Sequence, residues 1–319
     1  RKGQDIVQQN WNAIDRGIDG LEEVEVLPEW ADLEVNEQII EAAKPEFIKK
    51  IADPINLMKG NELPVSSIIE NGMVDGSFQH GTAHYEKRGI ADEVPEWQPD
   101  MCIQCNQCAY VCPHAVIRPF LIDEKEMAAA PEGMPTIKAL GRGMDGLEYK
   151  IQVSPLDCTG CSACVDVCPA PRGKAIVMKS TQSQIERNEI EYTDYLFNNV
   201  SYKDKILGKN TVKGSQFAKP LFEFSGACAG CGETPYIKLV TQLFGERMIV
   251  ANATGCSSIY GASAPSSPYT TAESGCGPAW ASSLFEDNAE YGYGMFQAVN
   301  TIRLRILKSC LLYTSPSPR

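Results

Sequence analysis

The sequence predicts a chain of several domains, of mixed α+β and α/β class. Two observations predict it. Two cysteine runs with identical spacing lie between residues 102 and 169, and a strand, turn, helix, strand pattern begins near residue 221. The chain has 319 residues, enough for two or more domains. We expect a small α+β domain around the cysteine runs and α/β structure after it.

An amphipathic helix opens the chain. Apolar residues recur at four- and three-residue steps and give it one apolar face: Val7, Trp11, Ile14, Ile18 and Leu21. The chain starts at Arg1 without a methionine, and no partner upstream covers this face, so we expect both ends to be cut. At the far end, residues 309–319 break from the preceding helical pattern. We interpret them, with Cys310, as an artefactual tail.

Glycine and proline punctuate residues 41–95, so we expect loops there rather than long elements. The triplet Glu86-Lys87-Arg88 is predicted to be a solvated turn, which is the usual state of a charge run. The three histidines, His80, His84 and His114, are not at metal-site spacing. We predict that they are turn or surface residues.

Each cysteine run has the spacing that ligates iron–sulfur clusters. The runs are Cys102-x2-Cys105-x2-Cys108-x3-Cys112-Pro113 and Cys158-x2-Cys161-x2-Cys164-x3-Cys168-Pro169. In bacterial ferredoxins the first three cysteines of such a run ligate one [4Fe–4S] cluster and the fourth ligates the other. The spacing therefore predicts two crossed ligand sets: Cys102, Cys105, Cys108 and Cys168 for one cluster, and Cys158, Cys161, Cys164 and Cys112 for the other.

Other readings of these cysteines are poorer. Disulfide frameworks are typical of small secreted chains, and this chain is long. Structural zinc commonly uses paired CxxC knuckles and gives no reason for a third cysteine and a closing proline, twice. Abundant cysteine at ligand spacing indicates a reducing, anaerobic cytoplasm.

Strands are predicted after both closing prolines, at residues 115–119 and 175–178. About forty-five residues separate the two runs, more than a minimal ferredoxin needs, so residues 128–146 are interpreted as an insertion lying over the clusters. Residues 181–215 are predicted to form a linker helix and loop.

Residues 221–256 have the pattern of an α/β unit. A strand is predicted at 221–224, then a glycine-rich turn and a helix with Thr234 as its cap and Pro235 at its first position. A second strand over 248–254 leads into Cys256. A long helix is predicted from about Asn288 to Leu307.

A third set of cysteines lies in this region: Cys228, Cys231 and Cys256. Three thiols are one short of a cluster site, so loop thiols with one buried cysteine, or thioredoxin-like chemistry, remain open. The glycines around Cys231 favour close approach of a cluster or a phosphate. Cys276, in a Gly-Cys-Gly-Pro turn, is predicted to be a small packing residue.

Composition excludes some partners. The net charge is −12, so nucleic acid is not expected, and no apolar run is long enough to span a membrane. An acidic redox partner would need a local basic patch. Lys138, Arg142 and Lys150 are one candidate patch, with a solvated loop as the alternative.

Several of these stretches together resemble pyruvate:ferredoxin (flavodoxin) oxidoreductase, a thiamine-diphosphate enzyme of anaerobes. The resemblance runs from about residue 1 to residue 307. The stretches that carry it include Tyr85-Glu86-Lys87-Arg88-Gly89, Pro95-Glu96-Trp97, Cys112-Pro113-His114-Ala115, Cys228-Ala229-Gly230-Cys231-Gly232-Glu233-Thr234-Pro235, Pro268-Tyr269-Thr270-Thr271 and Gly277-Pro278-Ala279-Trp280.

The resemblance implies an internal fragment with a defined layout. Residues 1–40 would end a preceding α/β domain, and residues 41–95 would form the small connecting domain named for its Glu-Lys-Arg triplet. Residues 96–200 would be the ferredoxin-like 2[4Fe–4S] domain. Residues 201–308 would be the first part of the thiamine-diphosphate-binding α/β domain, before the tail at 309–319.

The resemblance also implies cofactors and chemistry. Cys228, Cys231 and Cys256 would ligate a third [4Fe–4S] cluster, and Glu233 and Cys256 would contact thiamine diphosphate. The Mg²⁺ loop and the catalytic residues are not found here, so no catalytic residue is assigned and the fragment alone is expected to be inactive. The whole enzyme, a homodimer, would convert pyruvate and coenzyme A to acetyl-CoA and CO₂ and reduce ferredoxin or flavodoxin. An oxidoreductase for another 2-oxo acid and a non-catalytic polyferredoxin are the alternatives.

Overall fold

The computed structural model describes residues 3–17, 19–32, 44–283, 285 and 287–314. The chain divides into two compact units, residues 1–43 and residues 44–319, which we describe separately. The first unit contains helix α1 (Gln4–Arg16) and a 3₁₀ turn (Pro28–Asp32). The apolar face predicted for α1 is exposed to solvent, as at Trp11 and Ile14. The helix ends at Arg16, so Leu21 lies outside it, and Ile18 lies outside the described residues.

The second unit begins with short elements around a small apolar centre. They include a π-helical turn (Ile48–Ala52), α2 (Asp53–Asn56), α3 (Val65–Glu70) and a 3₁₀ turn (Thr82–Tyr85). Phe47, Ile48 and Ile51 are buried at this centre, where Phe78 packs edge-on against Phe47. Helical residues run without a break from 46 to 56, through the π-helical turn and α2, so one longer element lies in a stretch where we predicted mainly loops.

The cysteine runs lie in an α+β fold with internal two-fold repetition. In chain order it contains β1 (Glu93–Trp97), α4 (Gln107–Val111), β2 (Ile117–Ile122), α5 (Glu124–Ala128), β3 (Ile137–Lys138), β4 (Glu148–Val153), α6 (Ala163–Asp166) and β5 (Ile176–Ser180). The outer strands β1 and β5 pair antiparallel, with Trp97 opposite Ile176. The inner strands β2 and β4 also pair antiparallel, and β3 adds to the other edge of β4. Strands thus follow both closing prolines, as predicted.

Two further helices complete this fold. They are α7 (Thr181–Glu186) and α8 (Glu189–Asn199). We predicted a linker here, but α8 packs on β4 and buries Tyr192 and Leu196 against Phe120 and Ile122. The reason is that Phe120 and Ile122 give one face of β2 a large apolar surface, which the apolar side chains of α8 cover.

The remaining residues contain an α/β unit. Its elements are α9 (Val212–Ser215), α10 (Thr234–Phe244), β6 (Ile249–Asn252), α11 (Cys256–Ala262), β7 (Ala279–Ser282) and α12 (Asn288–Thr314). Strands β6 and β7 pair in parallel, with α11 in the connection between them. This is the α/β arrangement that the sequence pattern predicts.

Three local predictions were wrong in this unit. Residues 221–224 form no strand but one bridge, from Phe222 to Tyr269, because the backbone at Phe224 has a positive φ of 52° and turns away. Thr234 is the first residue of α10 rather than its cap, since Glu233 already has near-helical angles. The break expected at Ser309 is absent, since α12 continues through Ser309 to Thr314.

Among the described residues, no helix combines the length and the apolar character that a membrane span requires.

Candidate iron–sulfur sites

The two cysteine loops have the same backbone geometry. Gln104 and Gly160, at equivalent positions, have positive φ values of 56° and 68°, and Asn106 and Ser162 have 60° and 63°. The N–H groups of Gln104 and Gly160 each lie 3.4 Å from the cysteine Sγ two residues earlier. Each loop therefore winds tightly and directs its cysteine side chains toward one side.

Side chains hold the first loop at Gln104, where the second loop has Gly160, and at Asn106, where the second loop has Ser162. The Gln104 amide donates to the Lys138 carbonyl at 2.7 Å and accepts from the Leu140 N–H at 2.8 Å. The predicted insertion therefore packs over the first loop. The Asn106 amide accepts from the Tyr149 hydroxyl at 2.6 Å and donates to the Lys213 carbonyl at 2.9 Å.

Two cavities collect the eight cysteines in crossed sets. One cavity is lined by the first three cysteines of the first run and the last of the second: Cys102, Cys105, Cys108 and Cys168. The other is lined by the converse set: Cys112, Cys158, Cys161 and Cys164. We call these the first and second cavities. This grouping follows from the pairing of β1 with β5 and of β2 with β4, which brings the end of each run beside the start of the other.

The cavities suit a group that carries positive charge at several points. Burial raises the pKa of the Cys108 and Cys164 thiols, and neighbouring cysteines raise both further. Burial raises the pKa of Cys158 to about 12. Such thiols ionise only when a metal compensates the charge.

The spacing of the ligands does not suit a single ion. Among the described residues, no three His, Cys, Asp or Glu side chains come together as a site for one metal ion. Zinc thiolates would lie about 3.8 Å apart, given a Zn–S distance of about 2.3 Å. A cube with one thiolate on each of four irons holds its ligands further apart.

A buried donor also lines the first cavity. The buried indole N–H of Trp97 lies beside the Cys102 thiol. Burial raises the pKa of Cys102, and the indole of Trp97 acts in the opposite direction. An N–H placed in this way can donate to a cluster sulfur.

The third cysteine loop lies against the second cavity. A Cβ added at Gly230, between Cys228 and Cys231, would lie 3.6 Å from Cβ of Cys161. His114 lines the second cavity and is buried, which corrects its prediction as a turn or surface residue. Its Nδ1 lies 3.1 Å from the Ser225 carbonyl and its Nε2 lies 3.2 Å from the Cys228 carbonyl.

Cys228, Cys231 and Cys256 are accessible to a ligand. Cys228 and Cys256 are exposed, and Cys231 is half-buried three residues before α10. Burial acts to raise the pKa of the Cys231 thiol, but the backbone N–H groups of Thr234 and Glu233 lower it overall. The buried Thr234 hydroxyl lies beside this sulfur and acts in the same direction. Cys256 begins α11, where its side chain is not gathered with the other two into a site for a single ion.

Glu233 faces two buried tyrosines. Its carboxylate is exposed, whereas Tyr260 and Tyr269 are buried. Burial first, and then the Glu233 charge, raise the pKa of Tyr269 to about 12 and that of Tyr260 further. Tyr260 lies on α11, one turn after Cys256. Glu233 and Cys256 thus belong to neighbouring elements.

The Glu-Lys-Arg triplet is not the solvated turn that we predicted. Lys87 Nζ donates to Asp157, just before Cys158, at 2.7 Å. Arg88 donates to the carbonyls of Phe224 and Ser225, each at 3.2 Å. The triplet therefore bonds both to the second cysteine run and to the segment before the third.

Other buried charges were not predicted from the sequence. Arg118 forms a buried ion pair with Glu223, which His84 Nδ1 approaches to 3.7 Å. Lys238 is buried on α10. No local pattern indicates these residues, because each of them meets partners far away in the sequence.

Burial decides two further predictions, those for Lys150 and Cys276. Lys150 is buried below the rings of Trp97 and Tyr192, so it cannot belong to a surface patch with the exposed Lys138 and Arg142. Cys276 lies in a turn as predicted but is exposed, so its prediction as a packing residue was wrong. Cys310 is also exposed, on α12.

Comparison with known families identifies two regions. Residues 101–172 match a family model described as a 4Fe-4S dicluster domain. Residues 34–91 match the EKR family, which is described as a domain of unknown function.

Curated relatives extend the similarity to most of the chain. Pyruvate:ferredoxin oxidoreductase of Moorella thermoacetica is 55% identical over 94% of this chain and 25% of its own length. Pyruvate-flavodoxin oxidoreductase of Klebsiella pneumoniae is 53% identical over 96% of this chain and 25% of its own length. Pyruvate dehydrogenase [NADP(+)] of Cryptosporidium parvum is 48% identical over 92% of this chain and 16% of its own length. The chain thus spans about a quarter or less of these relatives.

Proposed function

We propose that this chain, a homologous segment of the pyruvate:ferredoxin and pyruvate-flavodoxin oxidoreductases, is the electron-transfer part of such an enzyme. The whole enzyme would convert pyruvate and coenzyme A to acetyl-CoA and CO₂. The observation that carries the proposal is the division of eight cysteines between two cavities in crossed sets. Each cavity would hold one [4Fe–4S] cluster.

The residues of each cavity have distinct tasks. Four thiolates would hold each cluster, and the buried N–H of Trp97 would donate toward the first. When bound, such clusters accept and release single electrons at potentials set by their surroundings. The apolar lining, including Ile176 in the first cavity and Val116 in the second, would exclude water.

We also propose a third cluster and a thiamine diphosphate site, completed by parts of the enzyme beyond this chain. Cys228, Cys231 and Cys256 would be three of the cluster ligands. The lowered pKa of Cys231 at a helix N-terminus favours its thiolate. Glu233 would contact the thiamine cofactor, which would be bound with Mg²⁺.

The packing of Gly230 on Cys161 supports an order for electron transfer. The third loop is next to the second cavity, so electrons would pass from the third site to the second cavity and then to the first. A ferredoxin or flavodoxin would receive them at the first cavity, where Ile103 is 48% exposed. The protein would act in the reducing cytoplasm, as a homodimer.

Anaerobic reconstitution of the chain with iron and sulfide tests the core of this proposal. We expect about eight irons and as many sulfides per chain, at four per cube. Paramagnetic resonance of the dithionite-reduced protein should show two interacting clusters. Two bound zinc ions without sulfide would contradict the proposal.

The absence of activity is a second expectation. The chain alone, with pyruvate, coenzyme A, thiamine diphosphate and Mg²⁺, should not reduce a viologen dye above a control without protein. Turnover would show that the chain contains the whole catalytic site.

A further inference from the structure

Lys238 is a buried cation without a carboxylate partner. Its side chain lies on α10 and the residue is 1% exposed. In the part of the chain that the structure describes, no Asp or Glu forms an ion pair with it. Burial of an uncompensated ammonium group is costly, so other groups must stabilise its charge.

The contacts of Lys238 are with the helix between the two cavities. Its Nζ donates to the carbonyl of Ala109, and to that of Tyr110 at 3.0 Å. Both carbonyls belong to the five-residue helix α4. Cys108 on this helix lines the first cavity, and Cys112, directly after it, lines the second. The ammonium therefore lies beside the segment that joins the two ligand sets.

The electrostatic surroundings of Lys238 agree with this position. Burial lowers the pKa of Lys238 to about 8, while Cys112 and Cys108 act to raise it and Arg118 acts to lower it. The Arg118 charge is compensated by its ion pair with Glu223. The two α4 carbonyls and the cysteine side chains thus favour the charged form of Lys238.

We propose that Lys238 is a positioned cation that raises the reduction potentials of both clusters. This inference rests on the proposed function, since it requires a cluster in each cavity. Each cluster gains one negative charge when it takes up one electron from a reductant. A fixed positive charge in a low-dielectric interior stabilises the reduced form more than the oxidised form.

The test is a redox titration of the reconstituted 319-residue chain, followed by paramagnetic resonance. Lys238→Gln keeps a donor for one α4 carbonyl and removes the charge. At a fixed solution potential, we expect its ratio of reduced to oxidised cluster to be at least about tenfold lower at both sites. For a one-electron couple, a tenfold change in this ratio corresponds to a decrease of about 59 mV in the reduction potential. Lys238→Met, which fills a similar volume with an apolar chain, should show the same change. This second variant provides the measurement if Lys238→Gln folds poorly.

Lys150→Gln is the matched control. Lys150 is also 1% exposed, lies over the Trp97 ring and has a pKa that burial lowers to about 8. Its Nζ lies 3.9 Å from Glu189, however, so its charge is partly compensated. We expect this substitution to change the ratio less than about threefold.

The outcomes separate this inference from the proposed function. If the wild-type chain takes up no clusters, the proposed function fails. If all proteins hold about eight irons and Lys238→Gln titrates like the wild type, only the inference is overturned. A loss of stability without a change in potential would overturn it too, and would leave Lys238 as a cap of α4. An equal change in Lys150→Gln would contradict the specific position of Lys238.

Discussion

The Lys87 ammonium and the Asp157 carboxylate lie 2.7 Å apart, which joins residues seventy positions apart in the sequence. The Asp157 side chain is 3% exposed and also accepts from the Ser154 hydroxyl at 2.6 Å. Because Asp157 directly precedes Cys158, this ion pair fixes the start of the second cysteine loop. The segment before the cysteine domain is therefore part of the support of that loop.

Lys87→Met should destabilise the chain by about 2 kcal/mol, because among the described residues the buried Asp157 side chain would keep only the Ser154 hydroxyl as a partner. The free energy of unfolding, measured by denaturant titration under anaerobic conditions, is the test. Lys205→Met is the control, since Lys205 is exposed and forms no ion pair in the described part of the chain. Equal effects of the two substitutions would contradict the role given to Lys87.

Cys112→Ser should remove the cluster of the second cavity and spare that of the first, because Cys112 lines the second cavity. Iron analysis should give about four irons per chain instead of about eight. Paramagnetic resonance should lose the interaction between the two clusters. Cys276→Ser, at an exposed cysteine outside both cavities, should keep both clusters. Loss of the Cys102, Cys105 and Cys108 site instead would show that the ligands do not cross.

Glu223→Gln should destabilise the chain by about 3 kcal/mol at neutral pH, because it leaves the buried Arg118 without a counter-charge. Burial alone would raise the pKa of Glu223, but Arg118 and His84 hold it well below its ordinary value of 4.5. The contribution of the carboxylate is therefore fully present above pH 4.5 and is lost as the pH falls from there through the depressed pKa.

Denaturant unfolding at several pH values tests this dependence. The difference between the wild type and Glu223→Gln should not shrink between neutral pH and pH 4.5, and it should shrink below pH 4.5. Glu62→Gln is the control, because Glu62 is exposed. A difference that already shrinks between about pH 8 and pH 6 would mean that Glu223 has a raised pKa.

Gly230→Ala should cost about 1 kcal/mol of stability, because the backbone there has a φ of +70°. The added Cβ would meet Cys161 at 3.6 Å, an ordinary contact, so the backbone conformation determines the cost. Gly232→Ala is the matched control, since its Cβ would meet nothing within 4 Å and its φ is not positive. Denaturant unfolding compares the two variants, and a greater cost at Gly232 would reject this explanation.

The sequence predicts best the features that depend on few neighbouring residues. The cysteine spacing predicts two tight loops. The left-handed backbone conformations of Asn106 and Ser162 occur within those loops. The parallel α/β unit was also predictable, because apolar strands and the amphipathic helix α10 have distinct periodicities. Its finer boundaries were not, since one positive φ at Phe224 ends a segment whose composition favours a strand.

Buried polar pairs could not be predicted, because their members are far apart in the sequence. Lys238 meets Ala109 across 129 positions, and Arg118 meets Glu223 across 105. A lysine within an amphipathic helix reads as a solvent-facing residue until the packing of that helix is known. For the same reason Lys150 was misplaced on the surface and the Glu-Lys-Arg triplet was predicted to be solvated.

The unequal support of the two cysteine loops limits how far this domain can be shortened. The second loop achieves its left-handed turn with Gly160, whereas the first uses Gln104 and depends on backbone groups of Lys138 and Leu140. Trimming the chain to the length of a minimal ferredoxin would remove those groups and affect only one half of an otherwise repeated design. Any miniaturised electron carrier derived from this chain would therefore need glycine at position 104 before residues 128–146 could be deleted.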